Sequence, residues 1–143
     1  MVRNWFFGKR RLSPRKQTVR DLVEAVNRQD YSDLDRFLTD DFVFADFMDG
    51  QIEGIADFVE NDRRFREGAG NPQLIIRSMN TAGNQIYVHG HLEGGSREIN
   101  APTIWQLLFR GDRICNATVI REGNQRTLPS FARRVAELSP RRH

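Results

Sequence analysis

Asp46 is the first candidate for acid–base chemistry, because Phe42, Phe44, Phe47 and Met48 surround it in the chain. A carboxylate desolvated by such neighbours has a raised pKa and suits proton shuttling near neutral pH. The competing reading is a strand-end aspartate hydrogen-bonded to the backbone of the Asp46–Gly50 turn. Tyr87, His89, His91 and Glu93 alternate with Val88, Gly90 and Leu92, so they project from one face of a strand. On a pocket face, His89 and Tyr87 are proton donors or acceptors. On the opposite face they meet solvent or a second subunit, and a one-residue register slip exchanges the two outcomes. We assign His89 to the pocket.

Other reactive chemistry finds little support. His89 and His91 have the spacing of two metal ligands, but no second ligand motif follows, so neither a metal nor a cofactor is expected. Cys115 has no basic neighbour in sequence to activate it, and a single cysteine forms no internal disulfide. That usage favours a reducing, cytoplasmic setting. The sequence contains no Gly-rich phosphate loop and no Gly-x-Ser-x-Gly elbow.

The chain of 143 residues fits one domain with its own core. Ten phenylalanines and a net charge of only +3 argue against disorder. No stretch approaches the roughly twenty apolar residues of a membrane span, and the opening residues do not resemble a signal peptide. Basic residues concentrate at the ends. Residues 1–20 hold seven and no acid, and residues 121–143 hold six against two acids, while the middle hundred hold nine against seventeen acids. An acidic body between basic ends argues against nucleic acid as a partner. The basic ends read as solvated tails or as segments packed on a partner subunit, with Trp5-Phe6-Phe7 as an alternative apolar anchor.

The elements that must position these residues follow from periodicity. Ser13-Pro14 starts a helix, and Val19, Leu22, Val23 and Val26 carry it to about Gln29. A short second helix buries Leu34, Phe37 and Leu38 and stops at Thr39-Asp40-Asp41, before a strand over 42–47. Gly54–Glu67 reads as a third helix with Ile55, Phe58, Val59 and Phe65 inward and Gly68 ending it. Strands are expected at Leu74–Thr81, Gln85–Glu93, Arg97–Phe109 and Arg113–Arg121, with Pro102 marking a bulge or an edge. A basic amphipathic helix is expected at Thr127–Leu138. Helices followed by hairpins make an α+β fold, in which about three helices and a strongly curved, mainly antiparallel sheet enclose a pocket. The domain is expected over 18–123, with a basic extension at 1–17 and a basic helix and tail at 124–143.

Several segments carry a resemblance: Val23–Asp30, Phe37–Phe42, Asp46–Gly50, Gly54-Ile55 and Phe109–Ile114. In order and spacing the chain resembles the nuclear transport factor 2-like superfamily, in its SnoaL-like and ketosteroid isomerase-like branch. The resemblance implies a cone-shaped pocket and Asp46 at the position of the isomerase's general base. It places Leu22 and Trp105 at the positions of that enzyme's oxyanion-hole tyrosine and aspartate. Neither side chain donates an O–H, which argues against ketosteroid isomerase activity itself. The Asp-Arg-Asp set of the similar epoxide hydrolases falls near Tyr87, His89 and Val119, which argues against that activity too.

The resemblance further implies substrate contacts at Leu22, Val26, Phe44, Phe58, Trp105, Leu107 and Val119. Arg121 is either a rim group for an anion or carbonyl, or a solvated strand end. Two readings stay open. One is a cofactor-independent isomerase, dehydratase or cyclase for an apolar cyclic or polyketide-like substrate, with Asp46 as base and His89 or Tyr87 as proton donor. The other is a non-catalytic ligand-binding or dimerisation module of the same fold. A homodimer through the outer sheet face is expected in either case, because Leu108 would otherwise expose apolar surface.

Overall fold

The computed structural model describes residues 12–46, 50–95 and 100–121. The extension up to residue 11, the turn positions 47–49, positions 96–99 and the helix expected at Thr127–Leu138 lie outside the described residues. Helix α1 spans Pro14–Asn27 and starts at its capping signal. Ser13 Oγ accepts the Lys16 N–H at 3.3 Å, and Pro14 occupies the first turn, where no backbone N–H is needed. Val19 and Val26 bury its apolar stripe, with Leu22 and Val23 packed beside them.

The second helix is shorter than its periodicity implies. A single 3-10 turn over Leu34–Arg36 buries Leu34, and strand β1 (Leu38–Asp46) has begun two residues later. Thr39-Asp40-Asp41 therefore opens a strand instead of ending a helix. Its polar groups find partners within the sheet. Thr39 Oγ1 donates to Asp41 Oδ1 at 2.7 Å, and Arg110 donates to both Asp41 oxygens at 3.1 and 3.2 Å. The Arg110 guanidinium and the Thr39 hydroxyl hold the Asp41 carboxyl below its usual range. A register shift between Leu38 and Val43 absorbs the polar run.

Strand β2 (Gln51–Glu53), which the sequence pattern did not signal, pairs antiparallel with β1. Helix α2 (Ile55–Ala69) follows Gly54 and ends at Gly70, whose φ of 84° caps it two residues beyond Gly68. Strands β3 (Gln73–Ala82), β4 (Gln85–Glu93), β5 (Thr103–Arg110) and β6 (Arg113–Arg121) complete the sheet. Strand β5 starts at Thr103, so Pro102 stands outside it and removes no ladder hydrogen bond. The register irregularity of β5 lies between Leu108 and Phe109, away from Pro102, where the pattern predicts a bulge or an edge.

The architecture is α+β, and among the described residues two α-helices lie on one face of a six-stranded sheet ordered β2-β1-β6-β5-β4-β3. Strands β1 and β6 run parallel and the other neighbours antiparallel. Register decides which side chains face the helices. One rung carries Ile86, Leu107, Ala117, Phe44 and Ile52, all buried. The next inward rung carries Val88, Trp105, Val119 and Asp46. Tyr87, Gln106, Thr118 and Ala45 form the rung between them and so face the opposite side. Among the described residues no helix is long and apolar enough to cross a membrane.

Where β3 slips register between Ile76 and Ser78, its backbone leans over β4. A Cβ on Gly90 would run into the Ile75 carbonyl there, so only glycine fits. Gly90→Ala is expected to lower stability by roughly 1–3 kcal/mol, the usual range for overpacking. A urea-unfolding midpoint unchanged by the substitution would contradict this packing.

Candidate functional site

Between the helices and the sheet lies a cavity of about 110 Å³. A single water needs only roughly 10–15 Å³ on the same measure, so there is room for an organic molecule. Helix α1 contributes Leu22 and Val26, β1 contributes Phe44, and α2 contributes Phe58. Trp105, Leu107, Val119 and Arg121 border the same space from β5 and β6. Every residue expected at a ligand-contact position therefore stands on one wall system. Phe58 sets its ring edge-on to Phe42 and Phe44, with centroids 5.6 and 5.8 Å apart. Such tilted contacts suit the ring quadrupoles and make that wall stiff.

Besides the Trp105 indole, four bordering side chains are polar: Asp62, Arg66, Thr103 and Arg121. They gather at one end of the sheet, where β3 and β5 begin and β4 and β6 finish. Thr103 pairs with Gly90 on β4 and with Arg121 on β6, while Arg66 reaches Pro72, the residue before β3. The cavity is thus apolar along its length and polar at one end.

Asp62 and Arg66 come from the inward stripe of α2 and are buried at 5% and 4% exposure. Arg66 Nε donates to Asp62 Oδ2 at 2.9 Å, and Tyr31 Oη donates to the same oxygen at 2.7 Å. Arg66 Nη1 also donates to the Pro72 carbonyl at 2.6 Å. Asn27 continues the network by exchanging two hydrogen bonds with the Leu74 backbone, at 2.8 and 3.0 Å. Burial, together with the hydrogen bond to Asp62, pushes the Tyr31 hydroxyl well above its ordinary pKa. The sequence reading missed Asp62 and Arg66. Their signal was present, because positions 58, 62, 65 and 66 share one helical stripe and two of them are charged.

At the neighbouring strand ends, Thr103 Oγ1 donates to the Ala101 carbonyl at 2.9 Å and Arg121 Nη2 approaches the same oxygen at 3.4 Å. Burial pulls the Arg121 guanidinium down to about 10. Asp46 lies on the inward rung with Val119 and Trp105, at this same end, without bordering the cavity itself. Its Oδ1 accepts the Gly50 N–H at 2.8 Å, and its own N–H donates to the Gly50 carbonyl at 3.0 Å. The turn hydrogen bonding weighed as the competing reading is therefore present, on a residue that still faces the cavity side.

Tyr87 and His89 are not brought to the cavity. Val88 borders it, so its neighbours on β4 point to the outer face. There Tyr87 Oη donates to Gln85 Oε1 at 2.8 Å, which also accepts from Gln106 Nε2, and His89 lies across from Ile104. His91 shares that face and sits 3.4 Å from Glu93. Among the described residues no group of three or more His, Cys, Asp or Glu side chains is placed to hold a metal.

The sequence profile of the SnoaL-like domain matches residues 19–117 of the chain. No curated protein matches it. Solved structures do. A candidate SnoaL-like polyketide cyclase from Jannaschia sp. CCS1 superposes with a TM-score of 0.67 at 12% identity, covering 79% of this chain and 91% of the other. A cystatin-fold protein from Novosphingobium aromaticivorans gives 0.64 at 19% identity, covering 78% and 100%. A protein of ketosteroid isomerase-like fold from Catenulispora acidiphila, solved with trimethylamine, gives 0.60 at 18%, covering 72% and 83%. At these identities the likeness is one of fold.

The Tyr31 hydrogen bond has a pH signature. A tyrosine whose folded pKa is raised stabilises the fold below the ordinary value near 10, and that contribution is lost as pH climbs towards the higher folded value. A tyrosinate absorbance titration is expected to show one group ionising well above pH 10, and Tyr31→Phe to remove that late step. A wild-type titration with no late step would contradict the bond to Asp62.

Proposed function

This chain belongs to the family of SnoaL-like domains, and we propose that its cavity binds a small, largely apolar ring compound. One observation carries the reading: a space with aromatic and aliphatic walls has its polar side chains collected at one end. Such a distribution orients a molecule with an apolar body and one substituted edge. Leu22, Val26, Phe44, Phe58, Trp105, Leu107 and Val119 would contact the body, and Arg121 would meet an anionic or carbonyl group. The candidate polyketide cyclase among the solved relatives of the fold supports this ligand class.

A catalytic role is the finer form of the proposal. Asp46 faces the cavity side at the polar end and is the base we assign to abstraction of an acidic C–H proton, in an isomerisation, dehydration or cyclisation without a cofactor. The placement of Tyr87 and His89 on the outer face favours the second reading, a binding module, because neither supplies a proton to the cavity. A ligand at about one hundred times its dissociation constant adds roughly 2.7 kcal/mol of stability. We expect keto- or hydroxy-substituted polycyclic compounds to raise the melting temperature, and Ala117→Leu, which fills the cavity, to abolish the rise. A compound that shifts both proteins equally binds elsewhere. With a compound that is turned over, Asp46→Asn is expected to bind it and leave it unconverted.

We further propose that a second copy of the chain covers the outer sheet face, where Leu108 is 37% exposed among half-buried Ile104, Ile120 and Tyr87. Sedimentation is expected to give a dimer that Leu108→Arg dissociates. A monomer mass for the wild type would overturn the assignment.

A further inference from the structure

We infer that Asp62 is the specificity-determining group of the cavity, recognising a hydroxyl or N–H donor on the ligand. The inference rests on the ring-binding reading above. The two carboxylate oxygens of Asp62 are unequal. Oδ2 receives both Tyr31 Oη and Arg66 Nε. No described residue donates to Oδ1, and that atom is not sealed off by protein. The residue is 5% exposed and borders the cavity.

The partners of Asp62 are committed. Arg66 places Nε on Asp62, Nη1 on the Pro72 carbonyl and Nη2 at 3.5 Å from Asn27 Oδ1, so each of its three nitrogens already has a protein partner. Tyr31 directs its single O–H to the same carboxylate. A carboxylate paired with a guanidinium offers only acceptors for further hydrogen bonds. The ligand must therefore bring the donor. Phe58 and Phe65 stand on the same helical stripe, and in so apolar a setting a charge-assisted hydrogen bond is strengthened and a missing one is costly. The cavity thus discriminates between a ring with a free hydroxyl and the same ring with that hydroxyl capped.

Calorimetric titration with 2-naphthol and with 2-methoxynaphthalene tests this directly. The two probes share an apolar body, and only the first donates. Wild-type protein is expected to bind 2-naphthol at least about tenfold more tightly, the usual worth of a hydrogen bond to a charged group. In Asp62→Asn the amide oxygen takes over the Tyr31 and Arg66 bonds and turns an NH2 donor to the cavity, so the preference is expected to vanish. Equal affinities in the wild type would overturn the role of Asp62 while leaving the ring-binding cavity intact, and this comparison needs no variant to fold. An undiminished preference in Asp62→Asn would overturn it as well. If neither probe binds the wild type, the cavity reading falls and the inference with it.

Discussion

The buried pair of Asp62 and Arg66 is the constraint on which the rest of the site depends. Two charged side chains have been taken out of water on the apolar stripe of a helix, and such burial is tolerated where the charges are paired and hydrogen-bonded. Arg66 meets that condition by reaching off its own helix to the Pro72 carbonyl and towards Asn27, and Asn27 in turn clamps the Leu74 backbone. The network ties α1, α2 and the start of β3 together with directional bonds. Breaking a buried pair by removing one partner typically costs about 3–5 kcal/mol. Helices held this way need not close fully on the sheet, and a cavity can persist between them.

That arrangement also explains why wall and core are the same residues. Phe44, Leu107, Ala117 and Val119 are buried core by exposure and cavity wall by position. Apolar surface lining a cavity lacks the full set of dispersion contacts that a filled core would give it. The polar network offsets part of that loss at one end of the space. The outer sheet face follows a different logic, with Tyr87, Gln85 and Gln106 satisfying one another beside the exposed Leu108.

Much of this was legible in the chain. Strands β4 and β6 have the boundaries that alternation predicts, because each is half-buried and β4 keeps a clean period of two. The inward faces of Leu22, Val26, Phe58 and Trp105 follow from periodicity, while their place at a ligand pocket is what the resemblance implies. Three things were not legible. Thr39-Asp40-Asp41 carries turn chemistry locally, and only Arg110, far along the chain, makes it a strand. The face of His89 depends on register, which a single sequence does not specify. Asp62 and Arg66 read as surface charges even with the helix phase set by Phe58 and Phe65, since charged residues are rarely buried unless paired.

Methyl-resolved NMR during titration with 2-naphthol tests the central claim most directly, because it reports where a ring compound sits without assuming what it does. The account predicts shifts at the methyls of Leu22, Val26, Leu107 and Val119, with those of Ile104, Leu108 and Ile120 unmoved. Shifts confined to the outer-face methyls would contradict it and make the sheet surface the binding site.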